Sequence, residues 1–135
     1  MTDWNHGIIE EFRTNAGKVG GYFKGAHILL LHSTGAKSGV ERVNPVMYFR
    51  DGDRYVVIAS AGGAHRHPDW YYNLLAHPDV SVEVGTEQFT AKAALTSEPE
   101  RTKLYEKMES QWQSFTEYKH QTSRSIPVFT LTRTS

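Results

Sequence analysis

The chain has 135 residues, its 15 lysines and arginines balance its 15 aspartates and glutamates, and it has no cysteine. That length fits one domain, residues 1–135, with core enough to fold without disulfides, and the missing thiols exclude cysteine nucleophiles, thiolate metal ligands and disulfide frameworks. Zero net charge leaves no overall field to attract a nucleic-acid backbone, so no nucleic-acid partner is expected and any anionic ligand must be held by a local cluster.

Asp3 to Asn15 opens with a capping aspartate and spaces Trp4, Ile8, Ile9 and Phe12 for one helical face. This N-terminal helix (1–16) is closed by Gly17, Gly20 and Gly21. No uninterrupted apolar segment precedes Gly25, so neither a secretory signal nor a membrane-spanning helix is expected there. His27 to Leu31 is a short apolar run leading into the polar, glycine-bounded loop Ser33 to Gly39. Val43 to Arg50 reads as a second strand, Asp51-Gly52-Asp53 as a turn, and Tyr55 to Ser60 as a third strand rich in β-branched residues.

Gly62-Gly63 breaks that strand, and Pro68-Asp69 opens a short helix through Trp70, Asn73 and Leu74. Val80, Val82 and Val84 alternate with polar residues up to the Gly85-Thr86-Glu87 turn, and Phe89, Ala91 and Ala93 continue the alternation beyond it. Ser97 and Glu100 match a capping box ahead of the amphipathic series Leu104, Tyr105, Met108 and Trp112. The spacing of Trp112, Phe115 and Tyr118 predicts a single helical face, and Pro127 to Thr132 is the last strand. Six short strands joined mostly by hairpin-length turns exclude a doubly wound parallel sheet, whose crossovers need about a dozen residues each. The expected fold is therefore mainly β with helices, a six-stranded antiparallel barrel over residues 27–133 with inserted helices.

Three segments could carry chemistry. Thr34 to Gly39, followed by Arg42, gathers backbone N–H groups, hydroxyls and the cations Lys37 and Arg42, a combination suited to phosphate although it lacks Walker spacing. Local physics alone favours a solvated charged turn there. Ser60-Ala61-Gly62-Gly63 ends a central strand with small residues, which permits either close approach of a flat ring or simply a positive-φ turn. His65 and His67 could chelate a metal with Asp69, but Arg66 between them would repel the cation, so they are read as exposed or capping histidines and no metal is assigned. Nothing like a G-x-S-x-G elbow is present. Trp70, Tyr71, Asn73 and Leu74 read first as residues closing the end of a barrel, and Trp112, Phe115 and Tyr118 as a face that covers the barrel or lines a pocket.

Taken in order, Thr34-Gly35-x-Lys37-Ser38-Gly39, Arg42-Val43-Asn44-Pro45, Ser60-x-Gly62-Gly63, Pro68-x-Trp70-Tyr71-x-Asn73-Leu74 with His77-Pro78, and Ser125-Ile126-Pro127-Val128 resemble the deazaflavin-dependent nitroreductase family. The resemblance spans about Leu31 to Phe129 and implies a split β-barrel that binds coenzyme F-420. It implies Lys37, Ser38 and Arg42, with Asn44 and Pro45 beside them, at the cofactor's phosphate and glutamyl tail. It places the ring against Ala59, Ser60, Ala61, Gly62 and Gly63, bracketed by Trp70 and Asn73. Trp112, Phe115 and Tyr118 fall where that family sets aromatic residues around the acceptor, and Tyr118 is the candidate proton donor. Ala36 and Ala61 stand where members of the family carry basic residues, and Trp112 and Phe115 where its nitroimidazole-reducing members carry tyrosines.

The resemblance implies an oxidoreductase passing a hydride from reduced F-420 to a small electrophilic acceptor, an activated C=C bond, a quinone or a nitro compound. Such a cofactor supplies the chemistry, in keeping with the lack of a visible nucleophile or dyad. The alternatives are an FMN-dependent reductase on the same barrel, or a non-catalytic protein that binds the deazaflavin or a lipid. The expected location is the cytoplasm, with weak peripheral membrane contact through the first helix as the alternative to its docking on the barrel.

Overall fold

The computed structural model describes residues 3–20 and 26–134, with side chains from residue 6 onward. Gly21 and the side chain of Trp4 lie outside the described residues. The elements in chain order are α1 (Asp3–Thr14), β1 (Ile28–Thr34), β2 (Glu41–Asp51), β3 (Arg54–Ile58), a 3-10 turn (Ala61–Gly63), α2 (Asp69–Ala76), β4 (Asp79–Val84), β5 (Glu87–Leu95), α3 (Glu100–Gln111), α4 (Ser114–Gln121) and β6 (Val128–Arg133).

The six strands close into an antiparallel barrel in the order β1-β2-β3-β6-β5-β4. Closure is made by β1 and β4 over only three pairs, Leu30 with Glu83, Leu31 with Val82 and His32 with Ser81. Beyond His32 the two strands part, which is the split in the barrel.

Strand alternation explains the core. Leu29 and Leu31 of β1, Val80 and Val82 of β4, Phe89, Ala91 and Ala93 of β5, and Phe129 and Leu131 of β6 point inward, with Trp70 and Leu74 of α2 plugging one end. The neighbouring residues Ile28 and Leu30 point outward, against Phe12 of α1. β1 is buried on both faces, which is why its first half, Ile28 to Leu31, is an unbroken apolar run. Val56 and Ile58 of β3 and Val128 of β6 likewise turn outward under Leu104, Tyr105 and Met108 of α3 and Phe115 of α4.

Ile8, Ile9 and Phe12 pack on the barrel, the docking expected for α1 ahead of membrane contact, with Phe12 buried and Ile8 and Ile9 half-buried, and no described helix is long and apolar enough to cross a membrane. Two local expectations are corrected. Ser97 does not cap α3. The helix begins after Pro99, and the Glu98 carboxylate instead accepts from the Thr102 N–H at 3.1 Å and hydroxyl at 2.7 Å and from Arg101 at 2.8 Å, which holds its pKa down to about 2. Trp112, Phe115 and Tyr118 do not share one helix, because the backbone turns extended at Trp112 (φ −145°, ψ 102°) and restarts as α4 at Ser114.

Candidate active site

The antiparallel order sends the β1–β2 loop, the β3–β4 connection with α2, and the β5–β6 connection with α3 and α4 to the same end of the barrel. The candidate residues therefore converge on one rim without any long-range motif in the sequence.

The β1–β2 loop is internally tied: the Gly35 N–H donates to Val40 O at 2.8 Å, Gly39 N–H to Gly35 O at 2.9 Å, and Val40 N–H to Ser38 Oγ at 3.2 Å. A β-carbon at Gly35 would displace Ser38 Oγ and crowd the Val40 carbonyl oxygen at 3.2 Å, so glycine suits this tight form. Lys37, Ser38 and Arg42 are exposed. Arg13, Arg54, Arg101 and Arg133 each meet a carboxylate, whereas Lys37 and Arg42 have no ion-pair partner among the described residues. Asn44 and Pro45 sit half-buried in β2 opposite Leu31 and Leu30.

Asn73 joins this loop to α2. Its carbonyl accepts from the Ala36 N–H at 2.9 Å and its amide donates to Ser33 Oγ at 3.2 Å. Trp70, one turn earlier on α2, is buried with its ring 5.8 Å from that of Phe129. The polar ends of Asn73 are thus engaged inside the protein, and Trp70 is a core residue. Both shape the rim from beneath.

On the other side, Ala59 and Ser60 are buried and lead into a turn in which Ala61, Gly62 and Gly63 all have positive φ (49°, 64° and 85°). Only glycine adopts such angles freely, so Ala61 carries strain of about 1–3 kcal/mol. A β-carbon at Gly62 would meet nothing within 4 Å, which leaves an open backbone face there. One at Gly63 would lie 3.0 Å from the Tyr118 Cα and 3.1 Å from its carbonyl oxygen, so the backbone of α4 rests directly on this turn. Phe115 is buried, its ring 5.2 Å from that of Tyr118, while Trp112 and Tyr118 are half-buried.

Sequence reasoning missed Arg124. From the segment before β6 it donates to three carbonyls of the β3–α2 connection, Ala59 (3.1 Å), Ser60 (2.6 Å) and Ala64 (2.8 Å), and it contacts His67 Nδ1 at 2.9 Å. Burial lowers the pKa of both groups, and the Arg124 charge pushes His67 down further, favouring the neutral imidazole with Nδ1 as acceptor. His67 also stacks on Tyr71 at 4.1 Å, while His65 Nδ1 lies 3.3 Å from Thr122 Oγ1. The one available signal was an arginine placed just ahead of a buried Ile126-Pro127-Val128 strand entry.

A second unforeseen network lies at the split. His32 is nearly buried, with Nε2 2.6 Å from Glu83 and Nδ1 3.2 Å from Glu41, and Arg13 of α1 grips Glu83 at 2.7 and 3.1 Å. The Arg13 hydrogen bond holds the Glu83 pKa below its ordinary value against the opposing effect of burial, with His32 assisting. Here a polar cleft of about 500 Å³ opens, lined by His32, Thr34, Glu41, Asp79 and Ser81 among others. Among the described residues no group of three or more His, Asp or Glu is arranged to hold a metal.

Residues 5–133 match the sequence profile of the family described as F420H(2)-dependent quinone reductase. A protein of Mycobacterium tuberculosis strain H37Rv named as an F420H(2)-dependent quinone reductase is 43% identical over 126 residues, covering 90% of this chain and 85% of its own length. A solved structure described as an F420-H2 dependent reductase, FDR-A, superposes with a TM-score of 0.71 at 36% identity over 77% of this chain and 92% of that one. Another, described as a domain-swapped dimer, superposes with a TM-score of 0.72 at 34% identity over 96% and 97%.

Proposed function

The chain belongs to the F420H(2)-dependent quinone reductase family, so it is an oxidoreductase that takes a hydride from reduced coenzyme F-420 and passes it to a quinone, and we propose which of its residues hold the two partners. One observation carries the assignment: two cations without carboxylate partners among the described residues, Lys37 and Arg42, and an open-faced turn at Ala61–Gly63 lie on the same barrel rim.

The residues present fit the cofactor. Its phosphate and carboxylates suit Lys37, Ser38 and Arg42, because an anion there meets cations that have no carboxylate to exchange. The cleft at the split is a poorer seat for that tail, since Glu41 and Asp79 line it. The backbone face of Gly62, free of side chains, suits a flat ring, with Ala59, Ser60, Ala61 and Gly63 setting the turn and Trp70 and Asn73 supporting the rim from beneath. When bound, the reduced deazaflavin supplies a hydride from carbon.

The protein's part is to orient and enclose. Phe115 fixes the α3–α4 corner through its burial and through the Tyr105 hydroxyl, which donates to the Phe115 carbonyl at 2.6 Å. Trp112 and Tyr118, half-buried at the same corner, face the acceptor, and the Tyr118 hydroxyl is the candidate group that gives or orients the proton following the hydride.

Titration of the protein with F-420 and separately with FMN, together with turnover of menadione by reduced F-420 and by NADPH with FMN, tests this reading. Binding of F-420 with F-420-dependent turnover is expected. Equal or better turnover with FMN would move the chain to the flavin reductases, and tight F-420 binding without turnover of any quinone would make it a carrier.

A further inference from the structure

Arg124 is connected to the candidate ring site entirely through backbone atoms. Its Nη1 and Nη2 hold the carbonyls of Ala59 and Ser60 just before the positive-φ turn, and its Nε holds that of Ala64 just after it. One planar guanidinium therefore brackets both ends of a three-residue positive-φ segment in which Ala61 is the strained member. Strain of this kind persists only where the surroundings over-determine it, and here Arg124 adds to the turn's own bonds, from the Gly63 N–H to Ser60 O at 2.9 Å and from the Ala64 N–H to Ala61 O at 3.2 Å. The Ser60–Ala61 peptide is trans, so fixing the Ser60 carbonyl toward Arg124 sends the Ala61 N–H the opposite way. Arg124 is itself anchored: it shares a linker with Ile126, which is buried and whose carbonyl accepts from Arg101 at 2.9 Å.

We propose that Arg124 is a positioning residue for hydride transfer: by clamping the carbonyls of Ala59, Ser60 and Ala64 and the His67 Nδ1, it fixes which way the peptide groups of the Ala61–Gly63 turn face, and so how the deazaflavin ring is seated. This rests on the ring site assigned above. A fork of donors in one plane is needed, because the three carbonyls and the imidazole lie around a single group. A lysine ammonium at the same place restores the charge but not the fork. The contribution is therefore geometric rather than a matter of net charge near the anionic tail, which the Lys37 loop serves from a separate loop of the same rim.

The test compares wild type with Arg124→Ala and Arg124→Lys in four measurements: folding by circular dichroism, amide spectra of Ala61–Gly63 in the cofactor-free protein, F-420 affinity by fluorescence, and steady-state turnover of menadione. In both variants the turn amides shift or broaden and kcat falls about a hundredfold, the loss attached to misplacing reacting groups by about an ångström. The KM for menadione changes little. Low-millimolar guanidinium chloride restores part of the kcat of Arg124→Ala and none to wild type. If Arg124→Ala does not fold, Arg124→Lys decides: wild-type kcat and unshifted turn amides in that variant would overturn the proposal, as would unchanged kcat in a folded Arg124→Ala. Failure of wild type itself to bind F-420 would instead overturn the ring-site assignment on which the proposal rests.

Discussion

The side-chain carbonyl of Asn73 accepts a 2.9 Å hydrogen bond from the backbone N–H of Ala36, so the helix that plugs the barrel also sets the position of the loop carrying Lys37. Replacing Asn73 with alanine removes this bond and the one to the buried Ser33 Oγ, whose lost partner costs about 1–3 kcal/mol. The expected result is lower thermal stability, faster hydrogen exchange at Ala36 and weaker F-420 binding. Unchanged exchange and affinity in the variant would show that the loop holds its shape without α2.

Lys37→Ala and Arg42→Ala are expected to leave stability intact, since neither side chain has an ion-pair partner to lose among the described residues. Each charge-assisted contact is worth about 1.5–3 kcal/mol, so the dissociation constant for F-420 rises about ten- to a hundredfold where contact is direct. Salt should weaken wild-type binding more than that of the variants. Calorimetry at two ionic strengths reads this, and equal affinity across the three proteins would return the loop to a solvated turn.

The neighbouring glycines of the strained turn separate stability from binding. Gly63→Ala forces a β-carbon against the backbone of Tyr118 at φ 85°, and is expected to lower stability by about 2–4 kcal/mol. Gly62→Ala meets no neighbour, so its cost is the φ of 64° alone, about 1 kcal/mol. If the ring lies on that face, the same methyl raises the F-420 dissociation constant about tenfold or more. A Gly62→Ala protein that binds F-420 as wild type does would place the ring elsewhere.

Glu83 gives the fold an acid-sensitive joint between α1 and the split. Its pKa in the folded protein lies below 4.5, chiefly through the hydrogen bond from Arg13, so the unfolded chain takes up the proton first as pH falls. The stabilisation is complete above 4.5 and is lost as pH drops through the folded value. Glu83→Gln should flatten that part of the acid-unfolding profile. Denaturation midpoints against pH for both proteins decide it, and parallel profiles would remove Glu83 from the account.

The elements governed by local pattern were legible in the sequence: the alternations through Val80–Val84 and Phe89–Ala93, the glycine turns and the Pro68-Asp69 helix start all appear within a residue or two of where they were expected. The α3–α4 break was not, because the apolar spacing of three continues through Trp112 while the backbone does not. The Ser97 capping pattern lost to Glu98, whose carboxylate meets two groups of Thr102 as well as Arg101. Arg124 and the His32 network were invisible for another reason. Their partners lie 57–65 residues away for Arg124 and 51 away for the His32–Glu83 pair, and no local periodicity encodes such a meeting.

The approach of α4 to Gly63 is made by the Gln121 side chain and by main-chain atoms of Tyr118, its Cα and carbonyl oxygen. The steric limit that these Tyr118 atoms set at Gly63 is therefore the same whichever side chain stands at position 118. Substitution at this corner and support of the turn are thus separable, because the closest approach to Gly63 from Tyr118 is made by atoms that every residue type carries.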